Sequence, residues 1–68
     1  MARFIIHNKS TAQIQLLIPT SHNSAALLIP SSGSINILPW VGSMETCRHI
    51  GYIRTLKSRG LVDVIEEL

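Results

Sequence analysis

The sequence predicts a small α+β domain: an antiparallel β meander or partial barrel of four strands, followed by one C-terminal helix and a final strand. Two observations lead to this prediction. Short segments of mostly apolar residues, several of them alternating with polar ones, fill the first half of the 68-residue chain and are separated by Pro, Gly, Asn and Ser, and a segment with helical spacing follows them. A chain of this length forms one domain, 1–68, with a core that is marginal on its own.

The four predicted strands are joined by short turns, which favours an antiparallel order along the chain. They span residues 3–8, 13–18, 25–29 and 34–38. Pro19 ends the second strand and Pro30 closes the third. The turn at 30–33 is predicted to be a hairpin turn in which Gly33 takes a positive φ.

The C-terminal third is predicted to be one helix over 44–59 and one strand over 61–65. Ser43 is a suitable N-cap, Glu45 lies in the first turn, and Gly60 stands where a left-handed C-cap is expected. The predicted core consists of the inward-facing side chains of these elements: Phe4, Ile6, Ile14, Leu16, Leu27, Ile35, Ile37, Ile53, Leu56, Val62 and Val64.

The distribution of charge is the most informative feature for function. The segment 10–44, more than half of the chain, contains no Asp, Glu, Lys or Arg, and only 15% of all residues are charged, whereas about 25% is typical. Exposed strand edges are usually guarded by charge. We therefore expect the uncharged strands to contact other protein chains in an assembly.

The expected mode of contact is pairing of a strand edge, from 13–18 or from 3–8, onto a partner sheet. Trp40 is expected either to cap the core beneath the helix or to anchor a partner. The candidate partner contacts are Gln13, Gln15, Leu17, Trp40 and Met44.

A basic cluster on the predicted helix provides the alternative hypothesis, a small nucleic-acid-binding module. It consists of Arg48, Arg54, Lys57 and Arg59. A helix that reads DNA projects such residues from one face. On a continuous helix Arg48 and Arg59 share one side while Arg54 and Lys57 lie on another, and the net charge is only +2. Nucleic acid is therefore the less favoured partner.

The remaining titratable residues predict neither an enzyme nor a metal or cofactor site. Cys47 and His49 are two residues apart, so on a helix they point to different sides, and zinc sites need closely spaced ligand pairs. Three of the four acids fall within 63–68, and no third, orienting carboxylate is evident for a Cys47–His49 pair. We expect a buried Cys47 and surface histidines. A regulatory protein that caps an enzyme remains a third possibility.

No targeting segment is predicted. The apolar run within 1–7 is too short for a signal peptide, and no run approaches the roughly 20 apolar residues of a membrane span. A single cysteine forms no internal disulfide. The chain is therefore expected not to be secreted and not to bind a membrane.

Two segments resemble a pattern in small structural proteins of tailed bacteriophages. They are IPSSGSINI at 29–37, which is similar to I-P-x-x-G-S-I-x-I, and LKSRGLVDV at 56–64, which is similar to L-x-x-x-G-L-V-x-V. The resemblance covers about 8–65. It implies a compact β-rich module that serves as a capsid decoration (cement) subunit or as a neck, tail or baseplate adaptor, made in the host cytoplasm and located in the virion. It assigns no functional residues.

Overall fold

The computed structural model describes residues 1–20 and 22–68, and in these residues five strands and three short helices surround one core. In chain order they are β1 (Arg3–Asn8), β2 (Ile14–Pro19), β3 (Ser24–Ile29), β4 (Ser34–Asn36), α1 (Leu38–Val41), α2 (Met44–Arg48), α3 (Gly51–Ser58) and β5 (Val62–Glu67). The α+β class and the final strand are confirmed.

The strands form two antiparallel sheets instead of one meander or partial barrel. A three-stranded sheet has the order β4-β1-β5, and a separate hairpin pairs β2 with β3. The meander prediction is wrong because β1 does not pair with β2. Ile6 lies opposite Ile35 on one side and Val64 on the other, so aliphatic pairs on both edges hold β1 at the centre.

The core lies between the inner faces of the two sheets and the three helices. Every predicted core residue is part of it, either fully buried or packed against buried residues. The structure adds further buried side chains that the predicted core omits, namely Ile18, Ile29, Val41, Cys47 and Ile50. The hairpin and the three-stranded sheet therefore share one apolar interior.

The single helix predicted over 44–59 is divided into α2 and α3. It begins as predicted, since the Ser43 hydroxyl accepts the Thr46 N–H at 3.3 Å, but Ile50 is extended with ψ of 107°. On a straight helix Cys47 and Leu56 would lie about 180° apart, because each residue turns about 100°. The break lets both side chains reach the same core, where they are 1% and 7% exposed.

The turn after β3 carries the chain from one sheet to the other, so the hairpin predicted at 30–33 is wrong. The Gly33 N–H donates to the Pro30 carbonyl at 2.9 Å, and Ser32, not Gly33, takes the positive φ, +62°. A glycine is needed at position 33 because the backbone there lies close to the Pro30 ring, and a Cβ would lie 2.8 Å from Pro30 Cγ. Gly60 has φ of +74°, as predicted for its place after α3.

The side chain of Asn8 joins the two sheets. It is fully buried at the end of β1, and its Nδ2 donates to the carbonyls of Ala12 at 2.9 Å, Ile29 at 3.0 Å and Pro30 at 3.1 Å. Its Oδ1 accepts from the backbone N–H and the hydroxyl of Ser10 at 2.8 and 2.7 Å. The two hydrogens of the amide serve three acceptors, so all its polar atoms are used. One side chain thus fastens the end of β3 to β1.

We expect Asn8→Ala to lower the free energy of unfolding by about 3 kcal/mol, because it leaves several backbone groups without partners in a buried place. Urea denaturation followed by circular dichroism measures this change. Asn23→Ala, at an exposed turn, is the control and should cost less than about 0.5 kcal/mol. Equal costs for the two variants would show that the Asn8 network does not stabilise the fold.

Candidate functional site

The outer face of the three-stranded sheet carries paired charges. Arg3 Nε contacts Glu67 Oε1 across β1 and β5, and Lys9 Nζ lies 3.5 Å from Asp63 Oδ1. These side chains are partly exposed, so each pair contributes little to stability. Their charges guard this sheet against pairing with another chain.

The outer face of the hairpin is uncharged and partly apolar. It presents Gln15 and Leu17 from β2 and Ala26 and Leu28 from β3, and we call these four residues the hairpin face. Leu17 is 56% exposed and Leu28 is 59% exposed. Gln15 lies opposite Leu28 and Leu17 opposite Ala26, so the two leucines are diagonal neighbours that can contact each other. The hairpin face is thus suited to contact another protein.

The backbone of β3 has an open edge. The Thr20 N–H donates to the Asn23 carbonyl at 2.8 Å, and the register continues unbroken from this pair into β2 and β3. Because hydrogen-bonded pairs alternate in an antiparallel ladder, every second residue of β3, beginning with Ala25, bonds to β2. The N–H and C=O groups of Ala26 and Leu28 therefore point away from β2.

The other sheet edges in the described part of the chain are short, charged or covered. β4 has three residues, and β5 carries Asp63 and Glu66. On β2, the hydroxyl of Tyr52 donates to the Gln15 carbonyl at 3.1 Å and occupies an outward-facing acceptor. Among the residues described, only Ser24–Ile29 combines six residues and no charge with no helix packed extensively against it. Such an edge is a template for pairing with another chain.

The predicted contact residues lie in different surroundings. Gln13, Gln15 and Leu17 are exposed on or beside β2, and Trp40 in α1 is 48% exposed and so does not close the core. Met44 is only partly exposed and packs against its own core. Their role as partner contacts stays a prediction.

The expected edge pairing through β1 is wrong. β1 is the central strand, and its two edges are bonded to β4 and β5. Ala26 and Leu28, by contrast, were not predicted as contacts. The run 25–29 is continuously apolar, so its pattern does not show which side chains face outward. The sequence signal for this region is the absence of charged residues over 10–44.

The break between α2 and α3 brings three of the four predicted basic residues to one groove. Arg48, Arg54 and Lys57 line it, so the separation expected for a straight helix does not hold, while Arg59 caps α3 outside it. Arg48 Nε bonds to Glu66 Oε1 at 2.7 Å. We call this open space of about 460 Å³ the basic groove. Its further lining residues are Glu66 itself and Phe4, Cys47, Ile53, Ser58 and Val64.

The residues considered for catalysis or metal binding lie apart. Cys47 is buried and burial raises the pKa of its thiol, whereas His49 is exposed on the surface with Nε2 4.0 Å from Glu45 Oε1. Within 1–20 and 22–68, no three His, Cys, Asp or Glu residues are grouped closely enough to hold a metal ion. In the same residues, no helix has the length and apolar character needed to cross a membrane.

The comparisons with known proteins return no relative. No protein-family model, no curated protein and no solved structure matches the chain.

We expect the Cys47 thiol of the folded protein to react with a disulfide reagent at least about 100-fold more slowly than in urea, because only opening of the core exposes it and its raised pKa keeps it protonated. The absorbance of the released aromatic thiolate measures the rate. The control is the double variant Cys47→Ser with Thr46→Cys, which moves the thiol to the exposed neighbour position. Equal rates for the two folded proteins would contradict the buried placement.

Proposed function

We propose that this chain is a non-catalytic structural subunit of a virion-like assembly, where it binds copies of itself and a larger shell or tube protein. The observation that carries this proposal is the open, uncharged edge of β3. The resemblance of 29–37 and 56–64 to small phage proteins supports a place as a capsid decoration (cement) subunit or a head–tail component.

Pairing between two copies would begin at the β3 edge. The outward N–H and C=O groups of Ala26 and Leu28 match the same groups of a second copy placed antiparallel, which extends the two-stranded hairpin to four strands. A two-stranded sheet is marginal on its own, so the added strands stabilise it. Because β2 and β3 carry no charged side chain, two identical hairpins approach without electrostatic repulsion.

The same pairing would build a surface for the larger partner. In a four-stranded sheet the hairpin faces of both copies become continuous, and each contributes Leu17 and Leu28. A specific contact needs about 1,000 Å² of total buried area, and many copies on one shell or tube add avidity without a tight single site. The half-exposed Trp40 on α1 offers a further apolar anchor.

Nucleic-acid binding by the basic cluster would use another part of the molecule. It depends on Arg48, Arg54, Lys57 and Arg59, none of which contributes to the hairpin. Its affinity would fall steeply with salt, whereas pairing of uncharged strands would not. A change confined to the β3 edge therefore separates the two functions.

We expect Ala26→Pro to weaken self-association, because proline removes one outward N–H while the bonds between β2 and β3 remain. Sedimentation velocity from micromolar to near-millimolar concentration measures the mass of the unaltered protein and of the variant. The dissociation constant should rise at least about tenfold, which corresponds to about 1.4 kcal/mol. Circular dichroism verifies that the variant is folded.

Ala26→Val is the matched control, since it keeps the N–H at the same position and suits a strand. It should associate like the unaltered chain, at low and at high salt. An unaltered protein that stays monomeric throughout, alone and with shell or tube proteins, would overturn the proposed function. Equal association of the Pro and Val variants would show that the contact does not use the β3 edge.

A further inference from the structure

The net positive charge of the protein is concentrated on α3 and at the residue that follows it. Three of its six cations contact carboxylates, in the pairs Arg3–Glu67, Lys9–Asp63 and Arg48–Glu66. The other three, Arg54, Lys57 and Arg59, have no carboxylate within 4.0 Å among the described residues. These three cations therefore attract an acidic ligand more strongly than the paired ones do.

Two of these three cations border the basic groove. Arg54 and Lys57 are three residues apart on α3, so they lie on the same side of the helix, and Arg48 faces the groove from α2. The apolar side chains of Phe4 and Val64 contribute to its lining. Its volume of about 460 Å³ lies in the range of about 300–1,000 Å³ that is common for ligand sites.

We propose that the basic groove binds a short acidic segment of a partner protein, with one apolar side chain against the apolar lining and flanking carboxylates on Arg54 and Lys57. Arg48 is already held by Glu66, which leaves Arg54 and Lys57 as the cations available to a ligand. A guanidinium forms two parallel hydrogen bonds with one carboxylate, and an ammonium adds a third contact.

An acidic peptide fits the groove better than a nucleic-acid backbone does. The carboxylate of Glu66 also lines the groove and repels negative charge, which a phosphate backbone carries on every nucleotide but the peptide carries only on the residues that flank its leucine. A phosphate backbone also brings no aliphatic side chain to the positions next to Phe4 and Val64, whereas an acidic peptide with one leucine fills them.

This inference goes beyond the proposed function and does not depend on it. The groove is lined by residues of β1, α2, α3 and β5, and by none of β2 or β3. Assembly through the β3 edge and binding in the groove can therefore be tested on the same protein without affecting each other.

Fluorescence anisotropy with a labelled peptide, one leucine flanked on both sides by glutamates, tests the groove at low salt. The double variant Arg54→Gln, Lys57→Gln should raise the dissociation constant at least about tenfold, because both flanking carboxylates lose their partners. Arg59→Gln is the control: it removes one charge at the residue that follows α3, outside the groove, and should change the constant less than about twofold.

Three further probes decide between ligand classes: a peptide with glutamines for glutamates, a peptide with alanine for leucine, and labelled single-stranded DNA. We expect each to bind at least about tenfold more weakly than the acidic leucine peptide. Absence of binding by that peptide, equal binding of the alanine or glutamine peptide, or tighter binding of DNA would overturn the proposal. A loss with Arg59→Gln as large as with the double variant would also do so.

Discussion

The orientation of the hairpin on the three-stranded sheet depends on the buried amide of Asn8. Apolar burial holds the two sheets together, but the hydrophobic effect has no direction and does not select one orientation. Asn8 adds direction, because its Nδ2 reaches the Ile29 and Pro30 carbonyls while its own backbone belongs to β1. With that end of β3 fixed, the hairpin turns its aliphatic side toward the core and its open edge toward solvent.

The edges of the two sheets differ in length and in charge. The three-stranded sheet is bounded by the three-residue β4 and by β5 with its acidic side chains, whereas β3 is long and uncharged. Protection of one sheet and exposure of the other is difficult to explain for a chain that acts alone, because exposed uncharged edges promote aggregation. The partner that we propose at β3 would account for the contrast and for the surplus of apolar residues in so small a chain.

Much of the fold is visible in the sequence because it is local. The alternation in Arg3–Asn8, the N-cap at Ser43 and the glycine at 60 each depend on a few neighbouring residues. The choice of neighbouring strands is not local, because the same alternation suits any partner strand. The sequence therefore predicts the wrong neighbour for β1. Asn is a residue type that is common in turns, so the sequence predicts a turn at Asn8. Its burial depends on the end of β3, which packs over it in the folded chain.

The sequence predicts only part of the candidate site, because the site also depends on contacts between distant segments. The lack of charge over 10–44 identified the hairpin region, but five consecutive apolar residues at 25–29 conceal which of them face solvent. The basic groove forms only because the helix is broken at Ile50. That break lets Cys47 and Leu56 both reach the core. A helical wheel drawn on a continuous helix cannot place Arg48 beside Arg54.

Amide hydrogen exchange at Ala26 and Leu28, followed by NMR at increasing protein concentration, tests the role of the β3 edge most directly. Both N–H groups point to solvent in a single chain and exchange quickly, so they should gain protection as copies pair, while the amides of the exposed Thr11 and Ala12 stay unchanged. Exchange that stays fast at both residues while the mass of the particle rises would contradict pairing through this edge.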